Sequence, residues 1–158
     1  MPSVYPPYTP EDRAFSFQAA FLAGLISIVV NTTLLIGADH FHIVTARGGL
    51  LTLLRESSGT PLPSWAASWQ FRQIFHAAVG VAMIVIYAGT LARLRAPVIA
   101  KGLFSAAIVW LVNAAFILPA IGEGFAGAKI LGPSGMTLFG AAHTLFFLMG
   151  AVLYERWR

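Results

Sequence analysis

Four polar side chains stand alone inside long apolar runs: Asn31, His76, Asn113 and His143. A polar group is costly in hydrocarbon, so such residues tend to face a helix bundle's interior and are the first candidates for function. Counted from Asp39, Arg72, Gly122 and Gly135, where the runs meet their ends, they lie 8, 4, 9 and 8 residues in. At 1.5 Å per helical residue this is a shared layer about 6–14 Å deep, with one member from each run. Two chemistries suit it. The amides and imidazoles can hydrogen-bond between helices, for about 0.6–2 kcal/mol each. Alternatively, His76 and His143 can supply the axial imidazoles of a b-type haem, with Gly80 and Gly140 one turn away leaving room for a porphyrin. The first reading needs no cofactor and is the one adopted.

A second group gathers at the end of the first run, where Asp39-His40-Phe41-His42 is joined by Glu123 after the third run. Two imidazoles and two carboxylates suit Zn²⁺ or another borderline cation. Histidines at i and i+2 lack the i, i+4 helical spacing that presets a site, so ordinary solvation at the interface is the competing reading. The same groups could relay protons or gate a small solute. There is no Gly-rich phosphate loop, no His-Glu-x-x-His, no Gly-x-Ser-x-Gly and no pair of acids inside an apolar run. With no catalytic constellation, the chain reads as non-enzymatic.

The elements that must hold these residues follow from charge spacing. Of the 158 residues, 58% are hydrophobic and only 10% charged, against about 25% charged in a soluble domain. Asp, Glu, Lys and Arg are missing from residues 14–38, 73–92, 102–122 and 130–154, stretches of 25, 20, 21 and 25 residues. About 20 helical residues cross a hydrocarbon core about 30 Å thick. The expected fold is therefore all-α, an integral membrane antiparallel four-helix bundle forming a single domain over 1–158, with spans near 14–37, 71–92, 99–120 and 136–155. Thr9-Pro10-Glu11-Asp12 reads as the first helix start, with the helix running from Pro10 to Gly37. The first run is longer than a signal-peptide core and follows a Pro-rich, acidic segment, so it reads as a retained span. In the long connection, Gly49-Leu50-Leu51-Thr52-Leu53-Leu54-Arg55 is too short to span, and an interfacial helix is expected over 48–56. Helix 2 is expected over 64–94, with Trp65 and Trp69 on one face, and Tyr154 and Trp157 are expected to anchor the last helix in the interface.

Zero cysteines exclude disulfides, thiolate metal sites and covalent c-type haem. The net charge of +4 comes from scattered basic residues beside helix ends, with no stripe suited to nucleic acid. Arg93, Arg95 and Lys101 crowd one short connection, and Arg13, Arg156 and Arg158 fall on the same side, so the positive-inside rule gives an N-in, C-in arrangement. The opposite side carries Arg47, Arg55, Arg72 and Lys129 more thinly.

The segments His76-Ala77-Ala78-Val79-Gly80, Lys101-Gly102-Leu103-Phe104 with Trp110, Leu118 through Gly127, Ala142-His143-Thr144 and Gly150 through Tyr154 resemble small uncharacterised bacterial four-helix inner-membrane proteins. The resemblance covers about half the chain. It implies four spans and a bacterial cytoplasmic membrane, and it carries over no site residue. The functional expectation is an accessory or structural membrane subunit, packed against itself or other membrane proteins in the bilayer, with a polar site in the outer half. A b-type haem electron-transfer protein and a small-solute or proton conductor are the alternatives. In this reading the four polar residues share a cavity in the outer half. The inner half, with Ala88, Gly89, Ala106, Ala107, Gly150 and Ala151, is expected to be dry and tightly packed.

Overall fold

Ser16 sets the start of the first membrane helix. Its backbone is extended and its hydroxyl accepts the Ala19 N–H at 3.2 Å, which satisfies one of the free donors of the first turn. The computed structural model describes residues 14–45, 48–59 and 63–158. Residues 14–16 are not helical, so helix α1 covers Phe17–His40 rather than starting at Pro10. The expected cap at Thr9 to Asp12 lies outside the described residues, as do Arg13 and Arg47. The helix also runs past Gly37. It closes at His42, whose φ of 56° is left-handed, with His42 N–H bonded to Asp39 O and Ile43 N–H to Ala38 O, both at 3.0 Å. This pair of bonds is the usual glycine-type helix stop, here carried by a histidine.

A short helix, α2 (Gly49–Ser58), follows in the first connection, flanked by Gly48 and Gly59 in left-handed conformation. Leu51 is its buried residue, and its last four residues are exposed. The next span does not begin as one continuous helix. Ser64–Ala67 is a 3-10 turn, Ser68 is extended, and its hydroxyl caps Phe71 N–H at 3.2 Å to open α3, Trp69–Gly89. Trp65 and Trp69 are therefore not on one helical face, because the cap breaks the winding between them. Trp65 packs edge-on against Phe71 at 5.0 Å.

Helix α4, Val98–Val112, passes into a π-helical turn at Asn113–Ile117 and a last short turn, α5, Leu118–Ala120. Pro119 explains the change of winding. It has no N–H to donate, and in an α-helix its ring would press on the carbonyl four residues back. The wider turn, in which Leu118 N–H reaches Asn113 O, takes up the offset. Gly122, Gly124 and Gly127 then take left-handed backbone to reverse the chain. Helix α6, Pro133–Trp157, begins three residues earlier than the expected Met136, with proline in the first turn.

Four helical stretches are long and apolar enough to cross a membrane: Phe17–His40, Trp69–Arg93, Val98–Ala120 and Pro133–Trp157. With no strand among the described residues, the chain is an all-α, multi-pass membrane bundle. α1 packs on α3 and α6, while α4 packs on α6. Facing residues run in opposite numerical order, Gly24 against Val81 and Gly80 against Ile28, Gly102 against Leu148 and Gly140 against Trp110, so these neighbours are antiparallel. The consecutive helices α3 and α4 each find their main partner elsewhere.

Small residues make the contacts. A β-carbon on Gly24 would lie 2.9 Å from Val81 Cα, and one on Gly102 would lie 3.3 Å from Leu148 Cα. Ala20, Ala23, Ile84, Ala151 and Tyr154 are fully enclosed. Tyr154 is thus a core residue rather than an interface anchor. Its ring meets Tyr87 edge-on at 6.2 Å, and its hydroxyl accepts Ser16 N–H at 3.5 Å. Ala88, Ala106, Gly150 and Ala151 are buried as expected, whereas Ala107 is exposed and Gly89 has open space where a side chain would stand. Phe21, Val29, Ile74, Ile86, Leu111 and Phe116 are exposed on the outside of the bundle, where lipid would meet them.

Gly24→Val is expected to lower stability by about 1–3 kcal/mol, because the added carbons would press on the Val81 backbone and on Ile84 Cβ. Gly89→Ala is expected to be neutral or to add up to about 1 kcal/mol of helix propensity. Thermal unfolding of both variants in the same detergent checks the contrast.

Candidate functional site

At the end of the bundle where α1 finishes and α3 and α6 begin, here the His40 end, the helices separate around a cavity of about 220 Å³. Ile28, Asn31 and Leu35 of α1 line one wall, with Phe75, His76 and Met83 of α3 beside them. Asn113 comes from the π turn and Leu118 from the start of α5, while Phe139, His143 and Phe146 come from α6. Thr45 and the first turn of α2 cover it, and Asp39, Trp69 and Arg72 stand at its margin. The cover is held by packing. A side chain at Gly49 would press on Leu118 and Ile117, and one at Gly135 would strike the Val44 carbonyl. All four members of the expected polar layer thus line a single cavity.

Their hydrogen bonds differ from the expected bonding between helices. Asn113 Nδ2 donates to Val109 O and His143 Nδ1 donates to Phe139 O, both at 2.8 Å, and both bonds return to the residue's own helix one turn back. The carbonyl four residues earlier is the nearest acceptor a helical side chain can reach, so neither residue ties two helices together. Because a carbonyl only accepts, the His143 bond fixes the proton on Nδ1 and leaves Nε2 as an acceptor. Asn31 Oδ1, His76 Nε2 and Thr45 Oγ1 are buried with no hydrogen-bond partner among the described residues. Asn31 is 7% exposed and Thr45 4%. Three unsatisfied polar groups, each carrying an unmet cost of about 1–3 kcal/mol, therefore border the same space. Thr45 was not legible as a site residue, because it sits in a connection and only the fold of residues 41–45 over α6 brings it to the cavity.

The rim constellation does not assemble. Asp39 and His40 are the last residues of α1 rather than a loop, and His42 is the left-handed residue that ends the helix. Among the described residues no three His, Cys, Asp or Glu side chains come together to hold a metal ion. Glu123 is pinned in the turn after α5, its N–H on Leu118 O at 2.9 Å and its carbonyl accepting Lys129 N–H at 3.0 Å. One carboxylate oxygen is buried without a partner among the described residues, and burial pushes the Glu123 carboxyl above the ordinary glutamate range.

The faces of the two glycines near these histidines are already occupied. Ile28 fills the face of Gly80, where a β-carbon would lie 2.6 Å from Ile28 Cδ1. Gly140 faces the Trp110 indole, at 3.5 Å from its Nε1. These glycines face neighbouring helices, Gly80 in close packing and Gly140 in ordinary contact. Nor is the opposite end of the bundle uniformly dry. Its interior is packed, but a second, more open cleft of about 420 Å³ lies at its margin, lined by Leu94, Arg95, Ala96, Val98, Lys101, Glu155 and Arg158. No family model, curated protein or solved structure matches the chain.

Glu123→Gln gives a pH test of the turn. A carboxyl raised in the folded state is best tolerated while protonated, so the wild type should lose stability relative to Glu123→Gln as pH rises from the ordinary glutamate range through the raised value. Unfolding midpoints of both proteins from about pH 4 to pH 8 check this: the difference between them should change with pH in that direction.

Proposed function

We propose that the protein is a non-enzymatic accessory subunit of a bacterial cytoplasmic membrane whose contribution is a small-ligand site at the His40 end. The convergence of Asn31 Oδ1, Thr45 Oγ1 and His76 Nε2, three buried polar atoms without partners among the described residues, on one cavity carries this reading. A purely structural bundle would gain by replacing them with apolar groups of similar shape. An occupant with matching donors and acceptors would instead meet their hydrogen-bonding need. A space of about 220 Å³ suits a compact, single-ring molecule, since about 150 Å³ admits benzene. Phe75, Phe139 and Phe146 would cover its faces.

Protein isolated in mild detergent is expected to release a small molecule on extraction, detected by mass spectrometry. Asn31→Leu and His76→Phe should release none and should melt at equal or higher temperature than the ligand-free wild type. Empty extracts from the wild type, or variants that unfold more readily than the ligand-free protein, would overturn the reading.

b-type haem between His76 and His143 is the second reading, favoured by one observation. The Phe139 carbonyl holds His143 Nδ1–H and turns Nε2 free, the orientation that metal-ligating imidazoles usually have. Haem would need α1 or α4 to move away from Gly80 or Gly140. A Soret band in protein from haem-replete cells, lost in both His76→Ala and His143→Ala, would replace the small-ligand reading. Conduction of a proton or small solute through the same cavity would appear as flux in liposomes.

The proposed orientation is N-in and C-in, with the His40 end outside, and the proposed partners are lipid and either a second copy or another membrane subunit. The four-span architecture supports the likeness to small bacterial inner-membrane proteins drawn from the sequence. Because the chain has no native cysteine, single Ser58→Cys and Ala96→Cys variants report orientation cleanly. Ser58→Cys should react with an impermeant thiol reagent on intact cells and Ala96→Cys only after permeabilisation. The reverse pattern inverts the topology.

A further inference from the structure

Lys101 and Glu155 read in the sequence as charges that end apolar runs, but the fold encloses both. Lys101 lies one turn inside α4 and its side chain is 6% exposed. Its ammonium donates to Ala92 O at 3.1 Å and pairs with Glu155. Arg158, 8% exposed, pairs with the other Glu155 oxygen, reaches Ala92 O at 3.5 Å and stands 5.6 Å from the centre of the Tyr154 ring. Tyr87 donates its hydroxyl to Glu155 at 3.4 Å. Glu155 is therefore fully engaged by three donors, while two nearly buried cations share one carboxylate.

Among the described residues, two largely enclosed cations thus share one carboxylate and keep N–H donors for a further acceptor. The second cleft opens directly on this group, and the exposed Arg95 brings another positive charge to its edge. We infer that this cleft is a site for a phosphate-type anion, and that a phospholipid headgroup is its source. The spare N–H donors of Lys101, Arg158 and Arg95 match the several oxygens of a phosphate. The cluster stands where α4 begins and α6 ends, at headgroup depth, and Leu94 and Ile99 are exposed beside it where acyl chains would run. This site is independent of the cavity at the His40 end, and of which membrane face it occupies.

The test uses the full chain in mild detergent, with unfolding followed against added phosphatidylglycerol, phosphatidylcholine of the same chains, or inorganic phosphate. Phosphatidylglycerol is expected to raise the midpoint and phosphatidylcholine to leave it in place. Arg95→Gln, at an exposed position, should fold normally and bind phosphatidylglycerol about fivefold more weakly, as removal of one near-surface charge implies. Lys101→Gln should weaken it at least as much, and Arg95→Gln keeps the test valid if Lys101→Gln fails to fold. A response to phosphatidylglycerol without one to phosphate assigns the site to lipid, and an equal response to both assigns it to a free anion. No response to either anion, equal responses to the two lipids, or unchanged affinity in Arg95→Gln would overturn the proposal.

Discussion

Close backbone approach at a few glycines governs the rest of this structure. Between helices in lipid the hydrophobic effect gives little drive, because the acyl chains are as apolar as the side chains, and association depends on packing. Gly24 brings α1 onto the backbone of α3, Gly102 brings α4 onto the backbone of α6, and Gly150 receives Ile84 in the middle of the bundle. These crossings make α6 the hub. Consecutive spans pair as α1 with α3 and as α4 with α6, and the contact of α1 with α6 joins the two pairs.

The cavity at the His40 end follows from where these crossings stop. Met83, Phe139 and Phe146 line the space there together with Gly80 and Ala142. The π turn adds to the separation. Pro119 cannot accept normal helical winding, and the adjustment it forces reaches back to Asn113, which points its amide along its own helix and leaves the space open. Asn31 Oδ1 of α1 and His76 Nε2 of α3, opposite, then find no partner among the described residues. A packing defect and an unmet hydrogen-bonding need coincide, which is the usual physical form of a binding site.

The two ends of the bundle solve the problem of polar groups in opposite ways. At the His40 end, neutral amides and imidazoles border a cavity and three of the polar atoms around it go unsatisfied. At the other end, Lys101, Glu155, Arg158 and Tyr87 satisfy one another around the Ala92 carbonyl and tie the start of α4 to the end of α6. Neutral groups tolerate a missing partner at a cost of a few kcal/mol, whereas ionised groups require one. That difference is why the charged groups gather on one shared carboxylate.

The sequence by itself determined the spans, because charge is excluded from hydrocarbon over a length fixed by the bilayer, and that constraint acts on each segment separately. It also placed Asn31, His76, Asn113 and His143 at one depth, since depth along a helix is a matter of counting. Other features needed tertiary structure, because they depend on residues far apart in the chain. Gly80 and Gly140 read as room for a cofactor, but Ile28 and Trp110 occupy that room, and only the crossing of α1 on α3 and of α4 on α6 decides this. Tyr154 reads as an interface anchor from its place near a helix end, yet the approach of Ser16 and Tyr87 makes it core. Thr45 and Lys101 gain their roles from a folded-back connection and from a carboxylate 54 residues away. Spacing along one helix is local and legible; which side chain fills a space on another helix is settled only when the helices meet.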